Sequence, residues 1–319
     1  MKISELELGK TYTFPLVVKT ATSRLTKAKK PFLTVEFFDG FSTISGNYWD
    51  WSGKNIPDKN TILNVTAQVG EWQGSMQLTI SCLSTNTDLT LADFMPLSGH
   101  DISAVYLEAS SIIEDLSDSF FKVLGKGVLE ELSERWRLIP GAVKVHHAYA
   151  AGTLIHSVST AKIAKAIAVS IPEASVELVV IGALLHDIGK LFCYTINGVV
   201  CELTDEGLLH EHSFTGANFI SGFTEEHNLL NSSADEAKLE MLQHIILSHH
   251  GKCEFGAAVP PSSIEAHIVH HADVLDASVE QIRVASDKVG ESKWTERIWT
   301  LDNRAQLSTG YVQAVMDRR

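Results

Sequence analysis

The chain has 319 residues, of which 45% are hydrophobic, and its formal net charge at pH 7 is −13. This length is enough for two domains of ordinary size. The acidic balance excludes a protein that coats nucleic acid without sequence preference, because phosphate binding needs a basic footprint. The opening run MKISELELGK carries no secretory signal, and the longest apolar run, residues 178–185, is too short to span a bilayer. We therefore expect a cytoplasmic protein with no membrane partner.

Residues 1–92 alternate between apolar and polar residues in the way that is typical of β-strands. Four runs follow a strict period of two, at residues 12–18, 32–37, 63–69 and 76–82, and a fifth strand fits at residues 43–49. The segment Trp72-Gln73-Gly74-Ser75 supplies a turn between the last two strands. Five short strands in a region of this size predict a small closed barrel, with an OB-fold as the leading candidate.

The rest of the chain has helical spacing of apolar residues, so the fold class is multidomain, a small all-β barrel followed by an all-α domain. Helices are expected at residues 150–168, 176–186 and 234–249, and the capping-box sequence Ser262-Ser263-Ile264-Glu265 begins another. We predict an OB-fold domain at residues 1–92, a helical linker at 93–140, a helical domain at 141–290 and a helical tail at 291–319.

Histidine and aspartate recur along the helical region in an order that packing does not explain. Thirteen of the fourteen histidines lie between His146 and His271. Imidazole nitrogen and carboxylate oxygen are the atoms that catalytic divalent-metal sites need. A metal would also remove the cost, on the order of several kcal/mol, of burying Asp187 at the end of an apolar helix. The candidate ligands are His156, His186, Asp187, His212, His249, His250 and Asp273.

Each candidate also has an ordinary structural interpretation. His156 alone is compatible with a core histidine bonded to a carbonyl, His249-His250 with a polar helix end, and Asp273 with a solvent-facing residue. Lys190 lies one turn after the candidate Asp187, where it either offsets phosphate charge as a catalytic residue or completes a helix C-terminus.

Other residues are candidates for contact with a nucleic acid. His146 and His147 precede the first ligand and could touch a phosphate. The segment from Lys19 to Lys30 carries five cations and no acid, which by itself is typical of a solvated hairpin loop. OB-folds bind single strands with aromatic faces and cations. The barrel candidates are Lys19, Arg24, Lys27, Lys29, Lys30, Phe32, Tyr48, Trp49 and Trp72.

The order of ligands resembles the HD-domain phosphohydrolase superfamily, roughly from Gly141 to Arg283. With the barrel in front, the architecture resembles the YhaM-type 3′→5′ exoribonucleases. Ile155 departs from that pattern, because an acidic residue is expected there. The resemblance is carried by HHAYAAGTLIH (146–156), GALLHDIGK (182–190), LTDEG (203–207), ILSHHG (246–251), EFG (254–256), HHADVLD (270–276), YWD (48–50) and EWQG (71–74).

This resemblance implies a two-metal site. One ion would be held by His156, His186, Asp187 and Asp273, and Asp187 would bridge to a second ion held by His212, His249 and possibly His250. A divalent ion lowers the pKa of bound water from about 15.7 to about 7, and two ions roughly 3.5–4 Å apart clamp the attacking and leaving oxygens at phosphorus. Mn²⁺ is favoured by resemblance, while Fe²⁺, Co²⁺, Zn²⁺ and Mg²⁺ stay open.

We therefore expect a metal-dependent 3′→5′ exonuclease acting on single-stranded RNA or possibly single-stranded DNA, with the direction taken from the resemblance alone. An HD-type nucleotide or cyclic-dinucleotide phosphohydrolase is an alternative, although no Gly-Tyr-Pro follows the ligand-bearing helices. A non-catalytic single-strand-binding protein that uses the barrel alone is another. The sequence does not define an oligomeric state.

Overall fold

The computed structural model describes residues 2–94, 99–142, 149–290 and 292–317. Contacts divide the chain into two compact units: Met1–Pro96 with Ile196–Glu202, and Leu97–Thr195 with Leu203–Arg319. Among the described residues, no helix combines the length and the apolar character that crossing a membrane requires.

The first unit contains a closed barrel of five strands in the order β1-β2-β3-β5-β4. The first strand pairs with both β2 and β4, and β3 runs parallel to β5. This strand order confirms the predicted OB-fold. Leu33, Val35 and Phe37 alternate inward along β2 and are fully buried. The strands are β1 Thr11–Leu25, β2 Pro31–Phe38, β3 Thr43–Tyr48, β4 Ile62–Trp72 and β5 Ser75–Thr85.

An irregularity in the barrel changes the inward face of its last strand. Thr66 of β4 lies opposite Cys82, but the next residue, Ala67, lies opposite Ile80. This bulge reverses which side chains point inward beyond it. Cys82, which strict alternation places on the core face, is consequently exposed, and Leu83 packs against the core instead.

A short hairpin that the sequence pattern does not predict packs its tip against the barrel, within the same unit. Val199 packs with Val17 and Ile62 in a small apolar cluster, and the Asn60 side-chain amide donates to Asn197 Oδ1 at 2.9 Å. Strands of four residues are too short for a period of two to stand out. The hairpin consists of β6 Tyr194–Asn197 and β7 Val200–Leu203.

The second unit is mainly helical, which confirms the predicted helical region. Helix α10 packs on α4 and α5, and α5 is buried along its length from Leu178 to Leu185, as its near-continuous apolar sequence predicts. The helices are α1 Ile102–Glu114, α2 Ser119–Glu131, α3 Ser133–Trp136, α4 Gly152–Val169, α5 Val176–Leu185, α6 Lys190–Cys193, α7 Asp205–Leu209, α8 His212–Glu226, α9 Ser233–Ser248 and α10 Ile264–Val289.

Two segments of this unit differ from the sequence prediction. The region predicted as a linker at 93–140 packs into the unit, because α1 contacts α4 and α2 contacts α5. The tail at 291–319, predicted as helical, forms a hairpin before a short helix. Asp302 and Asn303 both have positive φ, 55° and 53°, as tight hairpin turns require. These elements are β8 Trp294–Ile298, β9 Arg304–Leu307 and α11 Thr309–Met316.

Candidate metal centre

The seven candidate ligands converge in the helical unit, although they come from five separate segments. Three of these segments lie at a helix terminus, where the chain changes direction and a side chain can turn into the interior. His156 lies within α4, His186 and Asp187 follow α5, His212 begins α8, His249 and His250 follow α9, and Asp273 lies within α10.

One group of donor atoms surrounds Asp187 Oδ2. That oxygen lies 3.5 Å from His156 Nε2 and 3.4 Å from His186 Nε2. Asp273 Oδ1 lies 3.1 Å from His156 Nε2. Donors that each lie ~2.0–2.2 Å from a common ion are themselves roughly 3.0–3.6 Å apart. The spacing therefore suits ligands of one cation.

A second group faces the other carboxylate oxygen of the same aspartate. Asp187 Oδ1 lies 3.4 Å from His212 Nε2 and 3.6 Å from His249 Nε2, and His250 completes this group. Within the described residues, Asp187 Oδ1, His212 Nε2, His249 Nε2 and His250 Nδ1 are buried without a hydrogen-bond partner. Each such atom costs about 1–3 kcal/mol, so a cation held by this donor group would remove a large penalty.

Backbone carbonyls orient two of the histidines. His186 Nδ1 donates to the Ala183 carbonyl, and His249 Nδ1 donates to the Ile246 carbonyl, both at 2.7 Å. The last carbonyls of a helix have no partner within the helix, which is why a histidine directly after α5 or α9 finds one. The bond fixes the proton on Nδ1 and leaves Nε2 as an acceptor facing Asp187.

Carboxylates orient two other histidines, and the sequence analysis missed both carboxylates. His156 Nδ1 lies 2.7 Å from Asp276 Oδ2, and His212 Nδ1 lies 2.6 Å from Glu211 Oε2. The Ser159 hydroxyl also donates to Asp276. A carboxylate on the far ring nitrogen raises the basicity of a metal-binding histidine. The available signal was spacing, since Asp276 lies one helical turn after the ligand candidate on α10.

Lys190 forms a buried ion pair with the central aspartate. Its Nζ lies 2.7 Å from Asp187 Oδ2. Burial alone would raise the pKa of Asp187, but the positive charge of Lys190 holds it well below its ordinary value. Burial would lower the pKa of Lys190, and its attraction to Asp187 instead raises it. Since α5 ends at Leu185, Lys190 does not lie in the last turn of that helix, and the helix-end interpretation is wrong.

The histidines divide into charged and neutral forms around this carboxylate. Burial and the neighbouring histidines lower the pKa of His249 far below its usual range and that of His250 to about 4. Burial would also lower the pKa of His156, but Asp273 and Asp276 raise it to about 10. Neutral imidazole is the metal-binding form, and His249 and His250 are therefore already in that form.

Gly189 allows two segments of backbone to approach each other closely. Its φ of −63° is accessible to any residue, and α5 already ends at Leu185. A Cβ atom at Gly189 would lie 1.9 Å from the His212 carbonyl oxygen and 2.6 Å from Gly216 N. Glycine is needed here because the backbone of α8 approaches the His186–Gly189 turn closely and brings His212 to the centre.

The two donor groups open into a cavity of about 400 Å³. Asp187, Lys190 and Asp273 line it together with histidines of the second group. Neutral side chains of α10, including Ala277 and Gln281, line another part. The site is therefore accessible to a small anionic ligand. His146 and His147, the proposed phosphate contacts, lie outside the described residues.

The basic segment of the barrel forms the loop between β1 and β2 and the strand end before it. Lys27 and Lys29 are exposed in the loop, and Arg24 is exposed at the end of β1. Lys30 pairs with Asp50 at 3.0 Å, and Lys19 is half-buried and pairs with Glu36 at 3.4 Å. Three cations of the predicted set thus have no acid within ion-pairing distance among the described residues.

The aromatic candidates of the barrel lie on β2, at the end of β3 and at the β4–β5 turn. Phe32 and Trp49 stack with ring centroids 4.5 Å apart, and 44% of Trp49 is exposed. Trp72 lies at the β4–β5 turn and is 65% exposed. Tyr48 instead packs partly into the barrel core, so its ring is less available than the other three.

These features define a class of protein: an OB-fold barrel followed by a helical unit whose histidines and aspartates could hold divalent metal. Residues 153–278 match the family model of the HD domain. Residues 153–278 are therefore similar to an HD domain, and such a domain indicates a metal-dependent hydrolase of the phosphohydrolase kind.

A solved structure resembles part of the chain. It is the solution NMR structure of the second OB-fold domain of replication protein A from Methanococcus maripaludis, with 17% sequence identity and a TM-score of 0.24. The match covers 28% of this chain and 96% of that chain. The OB-fold assignment rests on the strand order rather than on this match.

Proposed function

We propose that this protein is a metal-dependent exonuclease that shortens single-stranded RNA from its 3′ end. The observation that carries the proposal is the position of Asp187, whose two oxygens face two different groups of donor atoms. Two divalent cations held there would supply Lewis acidity and an activated water for displacement at phosphorus. His156, His186, Asp187 and Asp273 would hold one ion, and Asp187, His212, His249 and His250 the other.

The protein's own side chains add charge and orientation to this site. Lys190 is held by Asp187 on the wall of the cavity, where its positive charge favours an anionic phosphate. Asp276 and Glu211 fix the rings of His156 and His212 through hydrogen bonds. A site fixed in this way requires little rearrangement when substrate binds.

The barrel favours a single-stranded polymer over a mononucleotide as substrate. OB-folds bind oligonucleotides on the face of β2 and β3 and on the β1–β2 and β4–β5 loops. In this chain the Phe32–Trp49 stack lies at that face, Lys27 and Lys29 lie in the β1–β2 loop, and Trp72 ends β4 at the β4–β5 turn. A local surface of this kind is compatible with a net charge of −13. The 3′ direction and the preference for RNA follow from the resemblance to YhaM-type exoribonucleases.

End-labelled RNA tests the class of reaction and its direction together. Metal-free protein is loaded with Mn²⁺, and in parallel with Fe²⁺, Co²⁺, Zn²⁺ or Mg²⁺, and is incubated with an oligonucleotide labelled at either end. We expect a ladder from the 5′ label and immediate release of a labelled mononucleotide from the 3′ label. The opposite pattern would show 5′→3′ attack.

Two controls address the alternatives. Turnover of mononucleotides or a cyclic dinucleotide without an RNA ladder would indicate the HD-type nucleotide phosphohydrolase. Binding of RNA without turnover of any of these substrates, by protein that contains bound metal, would indicate a binding protein.

A further inference from the structure

The C-terminal hairpin reaches the metal cavity, although it lies outside the residues that match the HD domain. Thr300 and Leu301, in the turn between β8 and β9, line the cavity that contains Asp187. The Thr300 hydroxyl donates to the side-chain oxygen of Gln281, and Gln281 Nε2 donates to the Ala277 carbonyl at 3.0 Å. The turn is thus fixed to α10, the helix that also carries Asp273.

The cavity has two chemically distinct parts. Its charged part consists of the candidate ligands and Lys190, whereas Val274, Ala277, Gln281 and Leu301 give its other part neutral apolar and amide surface. A nucleotide has the same division, with an anionic phosphate on one side and an uncharged sugar and base on the other. A volume of about 400 Å³ is at the small end of the range for small-ligand sites, about 300–1,000 Å³. It suits one nucleotide rather than a duplex.

Trp299 provides an exposed aromatic side chain in the same turn as the two residues that line the cavity. It directly precedes Thr300, and 73% of its surface is exposed. Arg304 is exposed across the same turn, where it pairs in register with Ile298. Exposed aromatic rings and cations are the groups with which proteins bind single strands, because every base has a face that can stack.

We propose that the tip of the C-terminal hairpin, residues 299–303, is part of the active site and binds the terminal nucleotide of the substrate, with Trp299 stacking on its base. Thr300 and Leu301 form the wall beside the sugar. This inference rests on the proposed function for the identity of the polymer. It adds a binding role for a segment that lies beyond the matched HD domain.

The first measurement is binding of adenosine 5′-monophosphate to metal-loaded protein, compared with ribose 5-phosphate, which has no base. Trp299→Ala should weaken binding of the nucleotide by about 5- to 150-fold, the range for loss of one base stack, and should change binding of ribose 5-phosphate less than about twofold. Trp299→Phe should restore part of the affinity. Trp294→Ala is the matched control, because Trp294 lies on the same hairpin and is 53% exposed, but it begins β8 and is separated by that strand from Thr300 and Leu301, which line the cavity.

The second measurement is KM for an RNA oligonucleotide with a normal or an abasic 3′-terminal residue. Trp299→Ala should raise KM for the normal RNA only. Equal behaviour of Trp299→Ala and Trp294→Ala in both measurements, or an equal loss with and without a base, would overturn the hairpin assignment even if the RNA ladder forms. Conversely, a loss specific to the base in a protein that forms no ladder would support the hairpin site and refute the exonuclease.

Discussion

The metal centre and the aromatic surface of the barrel differ in how strongly their geometry implies a ligand. Around Asp187, four buried polar atoms lack a hydrogen-bond partner among the described residues. On the barrel, Trp49, Lys27 and Lys29 face water, where they cost little free energy without any ligand. A buried group without a partner is destabilising, so several that converge around one carboxylate favour a bound cation. An exposed group permits binding without requiring it.

The largest effect is expected from removal of the charge that the two donor groups share. Asp187→Asn should reduce hydrolysis by more than about 100-fold, the upper range for a residue one layer outside the ligands. It should also lower the bound metal per chain, because an amide is a poor bridging ligand. RNA affinity measured without turnover should change less than about twofold.

Asp205→Asn is the control. Asp205 is exposed in α7, and its substitution changes the formal charge by the same amount. Normal cleavage by Asp187→Asn would show that hydrolysis does not need the shared carboxylate. The geometry of the metal centre would then imply a ligand no more strongly than the barrel surface does.

The next effect concerns packing rather than charge. Gly189→Ala places a methyl group against the His212 carbonyl, and overpacking of this kind costs about 1–3 kcal/mol. We expect a lower melting temperature and loss of metal from the second donor group first, because His212 would be displaced. Metal content and thermal unfolding measure both.

Gly222→Ala is the matched control within α8, because a Cβ atom there meets nothing within 4 Å. It should be neutral or stabilising by about 0.5–1 kcal/mol, since alanine is the better helix former. If both variants behave alike, the close approach at Gly189 does not position the centre.

A third prediction tests the carboxylate behind His156. Asp276→Asn keeps the shape of the side chain but removes the charge that polarises the ring, so metal affinity should fall about 10- to 100-fold. A competition titration with a chelator measures this change, with the exposed Asp287→Asn on the same helix as control. An unchanged affinity would mean that Asp276 only fills space.

The sequence predicts the metal centre better than its surroundings for a physical reason. His186-Asp187, His212 and His249-His250 lie at helix ends, so the apolar period that marks α5 or α9 also locates the histidine that follows it. The order His156, His186-Asp187, His212, His249 survives any uncertainty of one or two residues in helix boundaries. The residues that orient the ligands have no such marker, because Asp276 resembles any solvent-facing acid of a helix.

Features that depend on contacts distant in sequence were missed or misplaced. Cys82 follows the strand period but faces outward, because a bulge opposite Thr66 reverses the pattern. The hairpin of β8 and β9 was predicted as helix. Its strands are short, and its Asp302-Asn303 turn is a weaker signal than Asn-Gly. Packing across the unit, rather than local pattern, determines such elements.

A fourth prediction asks whether the barrel surface binds at all. Trp49→Ala removes the outer ring of the stack on Phe32, and affinity for a long RNA should fall at least about fivefold, the lower limit for one base stack. Turnover of a short substrate should stay within about twofold. Phe41→Ala is the control, because Phe41 is another aromatic of the barrel and is 59% exposed. Equal affinities for both variants would leave the surface without a function.

The smallest effect is expected at Glu211. This residue combines features of both regions, because it contacts the buried His212 while 63% of its own side chain is exposed. The hydrogen bond from His212 lowers the pKa of Glu211 from 4.5 to about 2 in the folded protein. A depressed carboxyl pKa contributes stability above pH 4.5 that is lost as pH falls toward 2. Metal-free Glu211→Gln should therefore be less stable than the unaltered protein above pH 4.5, and the difference should shrink as the pH falls toward 2.

Urea unfolding of metal-free protein across that pH range measures the difference, with Glu225→Gln, an exposed change on α8, as control. Water can replace the exposed carboxylate of Glu211 at the His212 ring. Glu211→Gln should therefore lose less metal affinity than Asp276→Asn. A larger loss would mean that the orientation of His212, rather than that of His156, limits metal binding.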